Sequence, residues 1–214
     1  MQVTIIGAGN MGRGIGHALV RGGHSVTLLD RDPEEAARLA EELRGAAQGG
    51  ATVEAEGADT DLRDDVVIPA VYYPGTLEIA RDLGEGLAGK VVVDISNPLN
   101  QTFDGLATEP GTAAAEELAK AAPADARVVK AFNTTFSGTL VDGEVAGHPL
   151  DVFIAGDDEG AKETVAQLAR DGGLRAIDVG PLERARHLES LGFVYMMAQQ
   201  PLSLGFNSAL KVVS

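Results

Sequence analysis

Residues 7–12 read Gly-Ala-Gly-Asn-Met-Gly, a G-x-G-x-x-G pattern. Alone that pattern is weak. Here it follows an apolar run, Val3-Thr4-Ile5-Ile6, and opens a segment with helical spacing. In that setting each glycine has a physical role. Gly7 permits a tight turn, Gly9 lets a pyrophosphate approach the backbone, and Gly12 lets the helix pack close to the strand. The helix N-terminus then offers free N–H groups and a partial positive charge to phosphates. Asp30 ends the next apolar run, where a carboxylate can accept hydrogen bonds from an adenosine ribose. The chemistry implied is dinucleotide binding; a purely structural glycine turn is the plainer alternative.

The choice of dinucleotide is less clear from these residues, and charge alone leans toward NAD. Asp30 favours NAD, because a carboxylate repels a 2′-phosphate. Arg31 could stack on adenine or pair with that phosphate, which favours NADP, or it is a solvated turn residue. Asp32 pulls back toward NAD. Ligands sit beyond the C-terminal ends of parallel strands, so three further segments are expected to line the same crevice. Ala70 and Val71 offer an apolar edge for ribose and pyrophosphate. Asn97 and Pro98 form a fixed turn whose amide could bond the nicotinamide ribose, unless it is an ordinary Asn-Pro turn. In Phe132-Asn133-Thr134-Thr135-Phe136-Ser137-Gly138, two aromatics bracket small polar residues. That suits a flat ring with polar edges, with Asn133 and Ser137 beside it; a core-facing Phe pair with a capping Asn is the alternative.

No acid–base constellation accompanies this crevice. His17 and His24 read as structural or surface residues. His148 precedes Pro149 in a glycine-rich turn, and His187 lies beside Arg184 and Arg186, where the three could form a basic rim. Lys130 on a strand could be a catalytic amine, but burial of its stem is the favoured reading. No metal-ligand cluster stands out. Oxidising an alcohol needs a base for the hydroxyl proton. Passing hydride between two flat rings needs mainly position and exclusion of water. The sequence suits the second reaction better.

The elements that must position these residues alternate. Strands are expected at 3–6, 25–29, 51–55, 65–71, 90–96, 127–132, 150–155 and 175–179. Helices are expected at 11–21, 33–43, 76–87, 112–122 and 159–170. Apolar strands alternating with amphipathic helices give an α/β fold, a doubly wound, mostly parallel Rossmann sheet covered on both faces. That domain is expected to span 1–180. Residues 181–214 are expected to form a small helical unit, with a strong helix over 182–200 and a second short one over 202–213. Gly14 and Gly16 are expected to thin the first helix where it meets the sheet.

Composition narrows the classes. The chain has 214 residues, 27 Gly and no Cys, which excludes disulfides, thiolate metal sites and Cys nucleophiles. This suits a reducing cytoplasm. A net charge of −15 argues against nucleic acid or an anionic membrane as partner. No apolar run approaches the roughly 18 residues of a membrane span. The N-terminus reads as a strand and not as a signal peptide.

Taken together, residues 7–12, Val-Val-Lys-Ala-Phe-Asn-Thr at 128–134, Val-Phe-Ile-Ala-Gly-Asp-Asp at 152–158, Gly-Leu-Arg-Ala-Ile-Asp-Val-Gly-Pro-Leu at 173–182 and Arg-His-Leu-Glu-Ser-Leu at 186–191 resemble the coenzyme F-420-dependent NADP reductases, nearly end to end. The related oxidoreductase domain of membrane ferric reductases has a similar pattern. The resemblance implies hydride exchange between NADPH and a deazaflavin or a flavin, in a homodimer. It implies that Ala8, Gly9, Asn10 and Met11 hold the pyrophosphate. It places Asn133 to Ser137 by the nicotinamide and the tail over the second ring. The chain departs from the family at Asp30-Arg31-Asp32, where a Ser or Thr followed by basic residues is usual; Arg31 is the retained position. Two other readings compete: a dehydrogenase of small carbonyl or imine substrates, which needs His148, His187 or Tyr72 as proton donor, and a non-catalytic dinucleotide sensor.

Overall fold

The computed structural model describes residues 1–57 and 62–213. The middle of the acid-rich stretch, 58–61, lies outside the described residues. Among the described residues, ten strands and seven α-helices follow in order. They are β1 (Gln2–Ile6), α1 (Asn10–Arg21), β2 (Ser25–Asp30), α2 (Pro33–Ala46), β3 (Val53–Gly57), β4 (Val66–Pro69), α3 (Gly75–Leu83), β5 (Val91–Asp94), α4 (Ala114–Ala121), β6 (Arg127–Lys130), α5 (Ser137–Asp142), β7 (Glu144–Val145), β8 (His148–Pro149), β9 (Asp151–Gly156), α6 (Glu159–Asp171), β10 (Arg175–Gly180) and α7 (Ala185–Gln199).

Eight strands form one sheet in the order β10-β9-β6-β5-β4-β1-β2-β3. The six strands from β3 to β6 are parallel. The strand order reverses between β1 and β4, with β2 and β3 laid to one side and β4 to β6 to the other. That reversal is the switch point at which ligands collect in such sheets. β9 runs antiparallel to β6, and β10 runs parallel to β9. The apolar runs do not encode strand direction. The turn-around comes from α5 and the β7–β8 hairpin between β6 and β9, elements that lack a long apolar period.

Alternation along each strand divides the core into two layers. Val66, Ile68, Val91, Val93 and Val129 point to a cluster with Ile15, Leu19 and Leu43 of α1 and α2. Val67, Val92 and Val128 point the other way, to Leu77, Leu87 and Leu118. Each fully buried side chain of this kind contributes about 1.5–3 kcal/mol. The doubly wound reading therefore holds.

Two expectations are corrected. Residues 202–213 contain turns and extended chain but no helix. Gly205 and Phe206 both have positive φ, and the chain crosses the surface as an irregular strap. Gly14 and Gly16 serve helix–helix and not helix–sheet contact. A methyl group at Gly14 would lie 2.6 Å from the Ser137 carbonyl of α5, and one at Gly16 would lie 2.6 Å from Leu43 of α2. Among the described residues no helix is long and apolar enough to cross a membrane.

Candidate dinucleotide crevice and its tail wall

The glycine loop lies at the switch point, and its three glycines differ in kind. Gly7 has φ of 115°, and a methyl group there would sit 2.7 Å from the Ala70 carbonyl oxygen. A methyl group at Gly12 would fall 2.1 Å from the Gly7 carbonyl oxygen. Both are demanded by the fold. Gly9 is not: its φ of −75° suits any residue, and nothing lies within 4 Å of the missing methyl. Its bareness leaves open space in front of α1. That helix has no side-chain cap and no acidic residue in its first turn. The N–H groups of Asn10, Met11 and Gly12 therefore face outward without intrahelical partners, as the start of any helix requires. An anion is the natural occupant. Ala8, Gly9 and Asn10 line the hollow with Leu39 and with two ion pairs, Arg13–Glu42 at 2.6 Å and Arg38–Glu35.

Asp30 is turned into the loop. Its carboxylate accepts the Ala8 N–H at 2.7 Å and the Asp32 N–H at 2.9 Å. Asp32 in turn caps α2 by accepting the Glu34 N–H at 3.0 Å. Arg31 is exposed between them. Ala70 donates to the Ile6 carbonyl at 2.7 Å, and Val71 lies 3.1 Å from where a Gly7 side chain would begin. Gly7 to Gly12, Asp30, Ala70 and Val71 are thus brought together.

The far end of the crevice is built differently. Asn97 Nδ2 donates to the Asn133 carbonyl at 2.7 Å, while Asn133 Nδ2 donates to Asn97 Oδ1 at 2.9 Å and to the Leu188 carbonyl at 2.9 Å. Both amides that sequence offers to a ligand are engaged with one another and with α7. Pro98 is buried, and its carbonyl accepts the Ala107 N–H at 2.6 Å. Ser137 opens α5 beside Gly14, which sets the loop after β6 against α1. Three buried polar atoms at the ends of β5 and β6 have no partner in the protein: Ser96 Oγ, Asn133 Oδ1 and Thr134 Oγ1. Buried polar atoms are normally satisfied, so such a cluster marks a place for water or a polar ligand edge.

The two phenylalanines divide. Phe132 is buried in the core with φ of 61°, a strained conformation for a bulky residue, and Thr135 bonds its carbonyl. Phe136 stacks on Tyr195 of α7 with ring centres 4.7 Å apart, and Phe206 meets it edge-on at 5.1 Å. The Tyr195 hydroxyl bonds Ser208 at 2.8 Å. The strap is anchored beyond this point. The buried Asp151 carboxylate accepts from Arg175, from Lys211 at 2.6 Å and from the Val212 N–H at 2.8 Å. Burial by itself would raise that carboxyl. The hydrogen bonds from Arg175 and Lys211 and the Val212 N–H outweigh burial and hold it at about 2.

Sequence reasoning missed the most buried charge cluster. Lys130 is fully buried, head as well as stem, and its ammonium donates to Asp94 Oδ2 at 2.8 Å, the Ser96 carbonyl at 2.6 Å and Glu189 Oε1 at 2.8 Å. Glu189 also accepts the Ala114 N–H of α4 at 3.1 Å. Burial pushes the Glu189 carboxyl up, against the pull of Lys130. The signal available in sequence was the pair of acids, Asp94 and Glu189, inside otherwise apolar periods. The histidines stay out of the crevice end. His17 contacts Glu42, His24 is buried between the Met1 amine and Asp171, and His148 and His187 are exposed. Arg184 bonds the Val179 carbonyl and Arg186 bonds Glu116, so the suggested basic rim is partly tied down. Among the described residues no group of three His, Cys, Asp or Glu could hold a metal.

A bare glycine loop, an uncapped helix at the switch point and an aromatic far wall define a dinucleotide-binding oxidoreductase domain. The family pattern described as NADP oxidoreductase, coenzyme F-420-dependent, matches residues 2–98. The F-420-dependent NADP reductase of Methanocaldococcus jannaschii is 30% identical over 99% of this chain and 94% of its own. The chain belongs to the F-420-dependent NADP reductase family. A crystal structure of a candidate F-420-dependent NADP reductase from Arthrobacter sp. FB24 superposes with a TM-score of 0.84 at 29% identity, covering 99% of both chains. Metalloreductase STEAP3 of Rattus norvegicus is 34% identical over 89% of this chain, which matches 36% of that longer protein.

Proposed function

We propose that this protein transfers hydride between NADP(H) and coenzyme F-420. The observation that carries the reading is Gly9: a position the fold does not require to be glycine, open in front of an uncapped helix, inside a family of this activity. When bound, the two cofactors supply the chemistry, a hydride moving from one ring to the other with a proton exchanged with solvent. The chain supplies position. Ala8, Gly9, Asn10, Met11 and Gly12 would hold the pyrophosphate through backbone N–H groups. Ala70 and Val71 would border the ribose. Asn97, Pro98, Asn133 and Ser137 would shape the nicotinamide end, with Ser96, Asn133 and Thr134 offering unpaired polar atoms to the carboxamide. Phe136 and Tyr195 would exclude water from the ring contact.

The preference for NADP over NAD follows from where charge points. Asp30 is committed to the N–H groups of Ala8 and Asp32. Arg31 is left as the exposed cation at the end of β2, placed to pair with a 2′-phosphate. A flavin in place of the deazaflavin is the secondary proposal, since both present a flat tricyclic ring. We also infer a homodimer. Leu191, Val194 and Met197 on α7 are exposed at helical spacing, with Leu202 beyond them, an apolar stripe suited to a second copy. A cytoplasmic setting suits a chain without cysteine.

The test is to mix the protein with NADPH or NADH and with oxidised F-420 or FMN, following the loss of ring absorbance. Turnover with NADPH and F-420 is expected; no absorbance loss with any pair contradicts the proposal. Replacing Arg31 by Ala is expected to raise the KM for NADPH about 10–100-fold and leave that for NADH unchanged. An equal rise for both would overturn the assignment of Arg31.

A further inference from the structure

We propose that Lys130 is a positioning residue for hydride transfer: bonded at once to Asp94, the Ser96 carbonyl and Glu189, it fixes the seat of α7 against the crevice end and so the aromatic wall that α7 carries. The inference rests on the function proposed above. All three N–H bonds of the ammonium are used, and they join two strands and a helix that lie far apart in sequence. Ser96 and Asn97 continue β5, and Asn133 follows β6 by three residues, so the ammonium lies at the root of both crevice segments.

The face that α7 presents there is regular. Leu188, Gly192 and Tyr195 stand at i, i+4 and i+7, one side of a helix. The Leu188 carbonyl accepts from Asn133. Gly192 lies against Asn97, where a methyl group would come within 2.5 Å of Asn97 Oδ1. Tyr195 stacks on Phe136. Glu189 adjoins this face and reaches Lys130 and the start of α4. A slide or rotation of α7 would break the Glu189 and Leu188 bonds together and carry Tyr195 off Phe136.

Stability does not explain a lysine here. A buried ion pair is often no more stabilising than apolar side chains of the same volume. What three directed bonds add, and apolar contacts do not, is a single axial position and rotation for α7. Hydride transfer is sensitive to that, because a displacement of the order of 1 Å at a reacting centre costs about 100-fold in rate.

The experiment uses the whole protein with Glu189→Gln, which keeps the side-chain volume, and Lys130→Met. Three quantities are read: amide hydrogen exchange along residues 185–199, calorimetric affinity for NADP+, and single-turnover hydride transfer from NADPH to F-420. Exchange in α7 is expected to quicken about tenfold or more relative to that in α1. Affinity for NADP+ is expected to stay within about twofold, while the transfer rate falls about 10–100-fold. Unchanged α7 exchange in Glu189→Gln overturns the proposal. So does unchanged transfer in a variant whose α7 has loosened, or a loss of NADP+ affinity as large as the loss of rate. If Lys130→Met does not fold, Glu189→Gln decides alone. A wild-type protein that passes no hydride to F-420 refutes the proposed function, whereas a wild type that does so beside unaffected variants refutes the role of Lys130.

Discussion

The glycine loop and the α7 joint both attach ligand-facing structure to the same end of the sheet, and they are made of different material. The loop is backbone. Its contacts lie within a few residues or between adjacent strands, and its key positions carry no side chain at all. The joint is side chain. Lys130 and Glu189 are 59 residues apart, and Asn133 and Leu188 are 55 apart. The loop has no room for a Cβ at Gly7 or Gly12. The joint rests on a buried set of charges, Lys130, Asp94 and Glu189. Under the proposed function one end of the crevice would take phosphate on bare backbone, and the other would fix ring geometry by directed bonds.

That contrast ranks the expected responses. Lys130→Met leaves Asp94 and Glu189 buried without their counter-ion, and is expected to cost about 3–5 kcal/mol in denaturant unfolding. A cost below about 1 kcal/mol would show that water already reaches the cluster. Gly12→Ala forces a methyl group onto the Gly7 carbonyl and is expected to cost about 1–3 kcal/mol, with dinucleotide binding lost as α1 lifts from β1.

The strap responds to pH. Asp151 is held down at about 2, against an ordinary 3.8, so its contribution is complete above about 3.8 and is lost as pH falls toward 2. Proteolysis of the C-terminal strap is therefore expected to quicken across that window. Asp151→Asn should remove the pH dependence; a strap equally sensitive in both forms would contradict the assignment. The smallest change in stability belongs to Gly9→Ala, expected within about 0.5 kcal/mol of wild type because no atom is met. Its dinucleotide affinity should nevertheless fall about tenfold or more, the added methyl group occupying the phosphate's place. Stability and affinity moving together at Gly9 would erase the distinction between the loop's structural and functional glycines.

The same contrast explains what was legible from sequence. The loop could be read because its determinants are contiguous: strand, Gly7, Gly9, Gly12, helix, then Asp30 at the end of the next strand. The alternation of apolar runs gave the two-layer core. Asp30 was placed correctly but its partners were not, since a carboxylate that bonds a loop N–H has the same sequence as one awaiting a ribose. Asn97 and Asn133 are expected from sequence beside the nicotinamide, but the bond between them crosses two strands and no local pattern shows it. Lys130 looked like a strand lysine with a buried stem, because the acids that accept its head lie elsewhere in the chain. The direction of β9 and the absence of a helix over 202–213 are not legible for related reasons. Strand direction depends on the connection, and Gly205 with Phe206 at positive φ ends helical continuity that apolar spacing suggested.

The central claim is direct transfer between two rings held in one crevice. It is tested most directly with NADPH deuterated at the transferable nicotinamide position, mixed with oxidised F-420 and this protein in ordinary water. The label is expected in the reduced deazaflavin. Reduced deazaflavin without label, or label released to solvent, would contradict it.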